Sequence, residues 1–494
     1  MVFIDYHFPS LPTKMSSVVT LAHLPTTTQK TLTKRFTYCG VTKQRGEKIF
    51  GTPFPGFLLH AAGDRVALPM AAAHAAVPPS AHTLGPHVPH LTMRFTGTLQ
   101  ETPDRDQQSA MAEATEHLHS HGTTLLALRT GFGKTVCAGY LATEVCQLRT
   151  LVLVCREALL KQWVAELTST TSARVALSKP KDDTQVLVCT PGTLSHVPDA
   201  WVAGVGTLIL DEAVDFCTPG RLPQVLTVAP RYIIACTATP TRPDGLHCVL
   251  EDIVGTHRVV RSNTTSFDVT RLLTNYKPTT VQNEKGVDWT ALQYDLFFSA
   301  QRNYCLVRTL SDAVEAGHKV LVLTAYTGHV DLLMQLLEEA QVEASRFDGS
   351  RKSYANARVL VGNTKKVGIG FDEKSHCDDF DGERIDLMVL ACSTKQFEVL
   401  QQYVGRVVGR ASMPSVVHMV DEDTRIKGSH WRVAKAWYET NMGTVHDRRW
   451  SEAVPEAWRA RHRALAGAVL DRLLLSKDED TSVATYMRWL REHL

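Results

Sequence analysis

Residues 125–135 read LLALRTGFGKT, an apolar run that passes straight into a glycine turn and a lysine. Leu125, Leu126, Ala127 and Leu128 suit a central parallel strand covered on both faces. Gly131 and Gly133 let the next stretch of backbone curl several N–H groups round one anion. Lys134 then reaches toward the β and γ phosphates, and Thr135 opens a helix (VCAGYLATEV) whose N-terminus adds a positive dipole end. The threonine hydroxyl is the usual magnesium ligand of such a loop. The full pattern G-x-x-x-x-G-K-[ST] has glycine where this chain has Leu128, so the loop alone leaves an accidental glycine turn open.

Outward from this stretch the chain alternates short apolar strands with helical segments. TLLAL (124–128), LVLVC (151–155), VLVCT (186–190), LILDE (208–212) and IIACTAT (233–239) are continuous apolar runs, which predicts a parallel sheet with helices on each side. KVLVLTA (319–325), ARVLVGN (357–363), IDLMVLAC (385–392) and VVHMV (416–420) repeat the character, with DLLMQLLEEA (331–340) as a helix between the first two. Two α/β domains in tandem follow, and 494 residues are too many for one ordinary core. The polar stretches SNTTSFDVT and YKPTTVQNEKG place the boundary between Arg258 and Asp288. The predicted division is an accessory region over 1–95, α/β domains over 96–260 and 261–440, and a helical extension over 441–494. The accessory region, rich in Pro, Thr and His, reads as small, partly β and joined by a linker.

Composition bounds the partners only loosely. A net charge of +2 neither demands nor excludes nucleic acid, because a groove can be basic on a chain that is neutral overall. The 11 cysteines are odd in number and lack paired spacing, which fits free thiols in a reducing compartment. No stretch approaches 18 consecutive apolar residues, and MVFIDYHFPS lacks the pattern of a secretion signal, so an intracellular protein without membrane spans is expected.

LILDEAVDF ends a strand with Asp211 and Glu212 at its carboxyl edge, where doubly wound sheets place their ligand chemistry. One carboxylate can hold magnesium while the other takes the proton from an attacking water. IIACTATPTRPDGL ends the next strand in Thr237, Thr239 and Pro240, and the two threonine hydroxyls can report the state of Glu212 to a neighbouring domain.

With these motifs the chain resembles the superfamily 2 helicases. TATPTRPDG is similar to the version in the branch that contains phage UvsW, the TFIIH DNA translocase and the helicases of large DNA viruses. The resemblance runs from about Phe95 to Tyr438 and implies two tandem RecA-like doubly wound parallel-sheet domains that close on ATP and Mg2+. It implies that Thr130, Gly131, Phe132, Gly133, Lys134 and Thr135 cradle the phosphates, that Gln108 reads adenine with Gln107 as its rival, and that Thr135 and Asp211 hold magnesium. VLVCREALLKQW resembles motif Ia, with Arg156, Gln162 and Trp163 after the second strand, and Thr190 and Pro191 resemble the next motif, which grips a nucleic acid strand. VGNTKKVGIGFD resembles motif V, with Gly370 and Asp372 in register and Asn363 or Thr364 at its start. QQYVGRVVGR resembles motif VI, in which Gln402 couples and Arg406 and Arg410 act on the γ-phosphoryl charge.

Three departures accompany the match: Leu128, Val214 in place of the polar fourth residue of motif II, and Gly409 where the second arginine of motif VI is expected, with Arg410 one residue on. The resemblance implies an ATP-dependent helicase or translocase, on DNA rather than RNA because of the TRPDG segment. An RNA helicase is the nearer alternative. An ATP-gated nucleic-acid-binding scaffold with a decayed site is the other. Three further groups have blander readings: His117, His119 and His121 as a solvated helix end, HCDDFDGER as a surface insertion, and Trp431, Lys435 and Tyr438 as core packing rather than a base-stacking face.

Overall fold

The computed structural model describes residues 15–44, 47–59, 63–84, 88–102, 105–279, 282–283, 286–367, 371–394, 397–405, 407–408, 413–421, 425–475 and 482–494. The chain divides into two units, Met1–Ser262 and Asn263–Leu494.

The first unit holds a seven-stranded sheet of β1 (Thr123–Leu128), β2 (Thr150–Val154), β3 (Val175–Leu177), β4 (Val186–Cys189), β5 (Thr207–Asp211), β6 (Tyr232–Thr237) and β7 (Val259–Arg261). Its order is β3-β4-β2-β5-β6-β1-β7, every pair parallel. All residues of β1, β2, β4 and β5 are buried, because helices cover both faces of the sheet. The second unit repeats the plan with β8 (Phe267–Leu273), β9 (Val320–Thr324), β10 (Ala344–Phe347), β11 (Val359–Asn363), β12 (Leu387–Leu390), β13 (Ser415–Val420) and β14 (Gly443–Arg449). That sheet runs β10-β11-β9-β12-β13-β8-β14, again all parallel. Two parallel sheets with crossover helices are the predicted tandem RecA-like fold.

Three expectations need correction. The polar boundary region contains β7 and β8 rather than loop alone. In β8, Phe267, Val269 and Leu272 are buried while Asp268, Thr270 and Arg271 stay at least partly accessible, so a mixed sequence still forms a strand by burying part of it. The tail after residue 441 begins with the edge strand β14 before the helices Glu456–Leu474 and Ser482–His493. Four residues of β14, His446 to Arg449, are exposed and charged or polar, which suits an edge that must not recruit another strand.

The accessory region is also not a separate module on a linker. Strands Leu58–Leu59, Arg65–Ala67, Met15–Thr20 and His82–Leu84 form a small antiparallel sheet. Val19, Phe36, Leu68 and Met70 belong to the same buried cluster as Leu208, Leu210 and Leu250 of the first unit. Arg35 donates to both carboxylate oxygens of Asp252, at 2.8 and 2.5 Å, and the Tyr38 hydroxyl donates to Oδ2 at 2.7 Å.

At the carboxyl edge of the second sheet a fully buried ion pair joins helix Ala300–Glu315 to the strand ends. Arg302 Nε donates to Asp421 Oδ1 at 2.9 Å, Thr274 Oγ1 donates to the same oxygen at 2.7 Å, and Arg302 Nη2 donates to the Ala391 carbonyl at 2.5 Å. Asp421→Ala leaves the guanidinium buried without its carboxylate. The change lowers the unfolding free energy of the second unit by about 3–5 kcal/mol, read as a shift in urea midpoint. A loss below about 1 kcal/mol contradicts this account of the pair.

Candidate functional site

β1 delivers the chain into the glycine loop at its carboxyl end. Gly131 and Gly133 have φ of 80° and 101°, the left-handed region that a side chain disfavours. A Cβ on Gly133 would also lie 2.5 Å from Gln107 Nε2, so close approach excludes one as well. The helix that follows runs Lys134–Tyr140 and continues through a π-helical turn, Leu141–Cys146. Leu128, in the place of the first glycine, is fully buried at the strand end, and its carbonyl accepts from Lys134 Nζ at 3.3 Å. The Phe132 side chain is in the core, which leaves its main chain to serve the loop.

The glutamine at the loop is not the expected one. Gln107 Nε2 donates to the Phe132 carbonyl at 2.6 Å, and Gln107 Oε1 accepts from the Gln100 N–H at 2.8 Å. Gln108 is exposed. Helix Gln107–His121 buries residues 107, 110, 111, 114 and 118, so helical period puts Gln107 on the inner face and Gln108 outside. The spacing of Ala110, Met111, Ala114 and Leu118 carried that signal in the sequence.

Asp211 ends β5, level with Val154 on β2 and Cys236 on β6. Its Oδ2 accepts from Trp163 Nε1 at 2.8 Å and its Oδ1 from the Glu212 N–H at 3.1 Å. Burial first, and then the neighbouring Glu212 charge, push the Asp211 carboxyl up to about 6, while Lys134 pulls the other way. A buried carboxylate that burial and a like charge hold against ionisation gains from a cation placed beside it. A carboxylate is a hard oxygen donor of the kind that suits Mg2+ completed by phosphate and water. Among the described residues no group of three or more His, Cys, Asp or Glu could hold a metal by itself.

Glu212 has a φ of 48°, a left-handed conformation for a non-glycine residue, which turns the chain sharply off β5 into the turn Ala213–Phe216. Thr237 Oγ1 donates to Glu212 Oε2 at 3.4 Å and to the Thr239 carbonyl at 3.2 Å, and it accepts from the Thr239 N–H at 3.1 Å. Val214 packs its side chain in the core, but its carbonyl accepts from Arg242 Nη1 at 2.8 Å. Arg242 is itself forked onto Asp244, at 2.9 and 2.7 Å, and the Asp244 carbonyl accepts from the Val41 N–H of the N-terminal region at 2.8 Å. The TRPDG segment therefore ties motif II to Val41 of the N-terminal region.

Arg156 caps helix Glu157–Thr170 in extended conformation and lies 3.5 Å from Asp215. Thr190 Oγ1 accepts from the Thr193 N–H at 3.2 Å, with the buried Pro191 at the first helical position. In the second unit the buried Asn363 spends its Oδ1 on the Lys366 N–H, 2.8 Å, which turns Lys365 outward. Thr364 follows at the start of the turn Thr364–Val367. Asp372 caps the turn Glu373–His376, accepting from the Lys374 N–H at 2.9 Å, and faces Arg384 at 3.4 Å. Gln402 is half-buried on helix Phe397–Val404. Gly370, Arg406 and Arg410 lie outside the described residues.

The blander readings fare unevenly. Trp431 and Tyr438 are buried, Tyr438 with its hydroxyl 2.9 Å from His418 Nδ1, as core packing requires. The acidic insertion is pinned at the surface by Lys319 to Asp381 and Arg358 to Glu383. Of the helix-end histidines His119 is exposed, as expected, whereas the rings of the partly buried His117 and His121 lie 5.0 and 4.3 Å from that of His257. Burial lowers His117, His121 and His257, the last to about 4.

Residues 104–245, which contain Gln107, the glycine loop, Lys134, Asp211, Glu212 and Thr237, match the model of the DEAD/DEAH box helicase family. The first unit therefore carries a segment of the DEAD/DEAH box helicase type, and the chain is similar to viral proteins provisionally named helicases. Protein 161L of Invertebrate iridescent virus 6, provisionally named a helicase, is 25% identical over 388 residues, spanning 72% of this chain and 84% of its own. Protein QP509L of African swine fever virus, provisionally named an ATP-dependent RNA helicase, is 31% identical over 161 residues, 30% of this chain and 31% of its own. Among solved structures, S. cerevisiae Dbp5 bound to RNA and ADP BeF3 is similar over 75% of this chain and 94% of its own, at 14% identity and a TM-score of 0.47. No helix among the described residues is long and apolar enough to cross a membrane.

Proposed function

We propose that this chain hydrolyses ATP with Mg2+ and uses the cycle to move along or separate nucleic acid, with DNA as the favoured substrate. The observation that carries the reading is the meeting of Lys134, Asp211, Glu212 and Thr237 at the carboxyl edge of one parallel sheet, close enough for the Lys134 charge to act on the Asp211 carboxylate.

In this reading the loop amides, Lys134 and Thr135 hold the phosphates, and Gln107 fixes the loop. Asp211 and Thr135 hold Mg2+, which supplies neutralisation of phosphate charge when bound. Glu212 takes the proton of the attacking water. Thr237 rests on the same carboxylate and passes its state to the TRPDG segment. The resemblance assigns Arg406 and Arg410 to the γ-phosphoryl charge. The resemblance assigns Arg156, Thr190, Pro191, Asn363 and Thr364 to a nucleic acid strand, and the proposed site of action is inside the cell.

Trp163 has a role the sequence did not disclose. Trp163→Phe keeps the buried ring but removes the donor to Asp211 Oδ2. The loss of a hydrogen bond to a charged group, about 1.5–3 kcal/mol, lowers hydrolysis at limiting Mg2+ about tenfold or more. A magnesium titration shows the cause, because half-saturation rises while the rate at high Mg2+ recovers. An unchanged half-saturation contradicts the role.

The TRPDG segment favours DNA, and the likeness to a relative named an RNA helicase is the observation on the other side. Strand displacement and ATPase stimulation with DNA and RNA duplexes of the same sequence separate the two. Stimulation by DNA supports the proposal. RNA-selective stimulation moves the protein to the RNA alternative, and tight binding without hydrolysis leaves the scaffold.

A further inference from the structure

The turn after Glu212 is held by three arginines, and one of them has two claimants. Arg242 holds the Val214 carbonyl, and Arg221 Nη1 donates to the Asp215 carbonyl at 3.1 Å, so the main chain of the turn is fixed without Arg156. Arg156 instead faces the Asp215 carboxylate, Nη2 to Oδ2 3.5 Å, with the two side chains 31% and 26% exposed. A single long contact between half-exposed groups is weak and readily exchanged. A phosphodiester offers the same guanidinium two oxygens and a bidentate fit.

We propose that Asp215 is an intramolecular competitor for the nucleic-acid site at Arg156. It holds the arginine when no strand is bound and gives it up to a backbone phosphate. The Asp215 N–H donates to the Glu212 carbonyl at 2.8 Å, so the residue that loses its arginine is joined directly to the one proposed to activate water. Val214 makes no polar side-chain link from motif II. Asp215, one residue on, makes one to motif Ia within the same unit. Asp215 is thus a positioning residue that reports strand occupancy to the catalytic turn. The inference rests on the proposed role of Arg156.

The test is equilibrium binding of a fluorescein-labelled single-stranded oligothymidylate to the full chain without nucleotide, at fixed moderate salt, across a double-mutant cycle. Asp215→Asn removes the competing charge with little change of shape and tightens binding about twofold to fivefold. Arg156→Gln weakens binding. Arg156→Gln with Asp215→Asn binds no better than Arg156→Gln alone, because the competition needs the arginine. Asp215→Ser reproduces the gain if a fold defect masks it in the asparagine variant. Unchanged or weaker binding by both Asp215 variants, with Arg156→Gln still impaired, overturns the competition and leaves the role of Arg156 standing. A gain that persists without Arg156 reduces the effect to general electrostatics and also overturns it. Full binding by Arg156→Gln removes the role of Arg156 and the inference together.

Discussion

Lys134→Ala lowers affinity for ATP about 30-fold or more, while the melting temperature changes little. Lys134 Nζ lies on the Leu128 carbonyl, 3.3 Å away, a position within the loop that its residues would present to phosphate. The lysine contributes a compact cation rather than packing, so its removal costs phosphate binding and not the core. A charge-assisted contact worth about 2–3 kcal/mol converts to roughly 30- to 150-fold in affinity. Titration with a fluorescent ATP analogue measures it. Affinity within threefold of the parent chain would mean that nucleotide is held elsewhere or not at all.

Glu212→Gln separates binding from chemistry. The amide keeps the size of the side chain, and its oxygen can still accept from Thr237, but it cannot take a proton from water. Hydrolysis falls by about 10²–10⁴-fold, the usual contribution of a placed general base. Nucleotide affinity stays within a few-fold, and binding to a single strand is retained. The strained backbone at Glu212 makes this a sharper test than a substitution on a regular strand, since the φ of 48° aims the carboxylate away from the strand axis and toward Thr237. Single-turnover hydrolysis with nucleotide prebound gives the rate free of the binding step. Hydrolysis reduced less than tenfold would move the base to another residue.

The central strands were legible because a buried parallel strand must be apolar along its whole length. TLLAL, LVLVC and LILDE announce themselves in that way, whereas β3 is only three residues long, β7, β8, β10 and β14 mix polar and apolar residues, and all five lie at or next to the sheet edges. Edge strands need bury only part of their surface, so their sequences resemble loops. The N-terminal region was misread for a related reason. Its short strands carry too few residues to show a period, and Val19, Phe36 and Met70 complete their burial against the first unit rather than among themselves.

At the site, residue types with one dominant chemical use were legible. Lys134, Asp211 and Glu212 stand where a glycine loop and a strand end demand them. Residues that act by reaching across the fold were not. Trp163 reads as an apolar residue of an amphipathic helix until its indole N–H is seen on Asp211, and Arg242 reads as a loop charge until it is seen on the Val214 carbonyl. Gln107 lay between the two cases, since the helical period favoured it over Gln108 while the motif spacing favoured its neighbour.

The most direct measurement is the rate of phosphate release from ATP and Mg2+ by the full chain, with and without saturating single-stranded DNA, beside Glu212→Gln. The account predicts a rate that rises with DNA and falls to the blank in the variant. A rate equal to that of the variant, with or without nucleic acid, would contradict it.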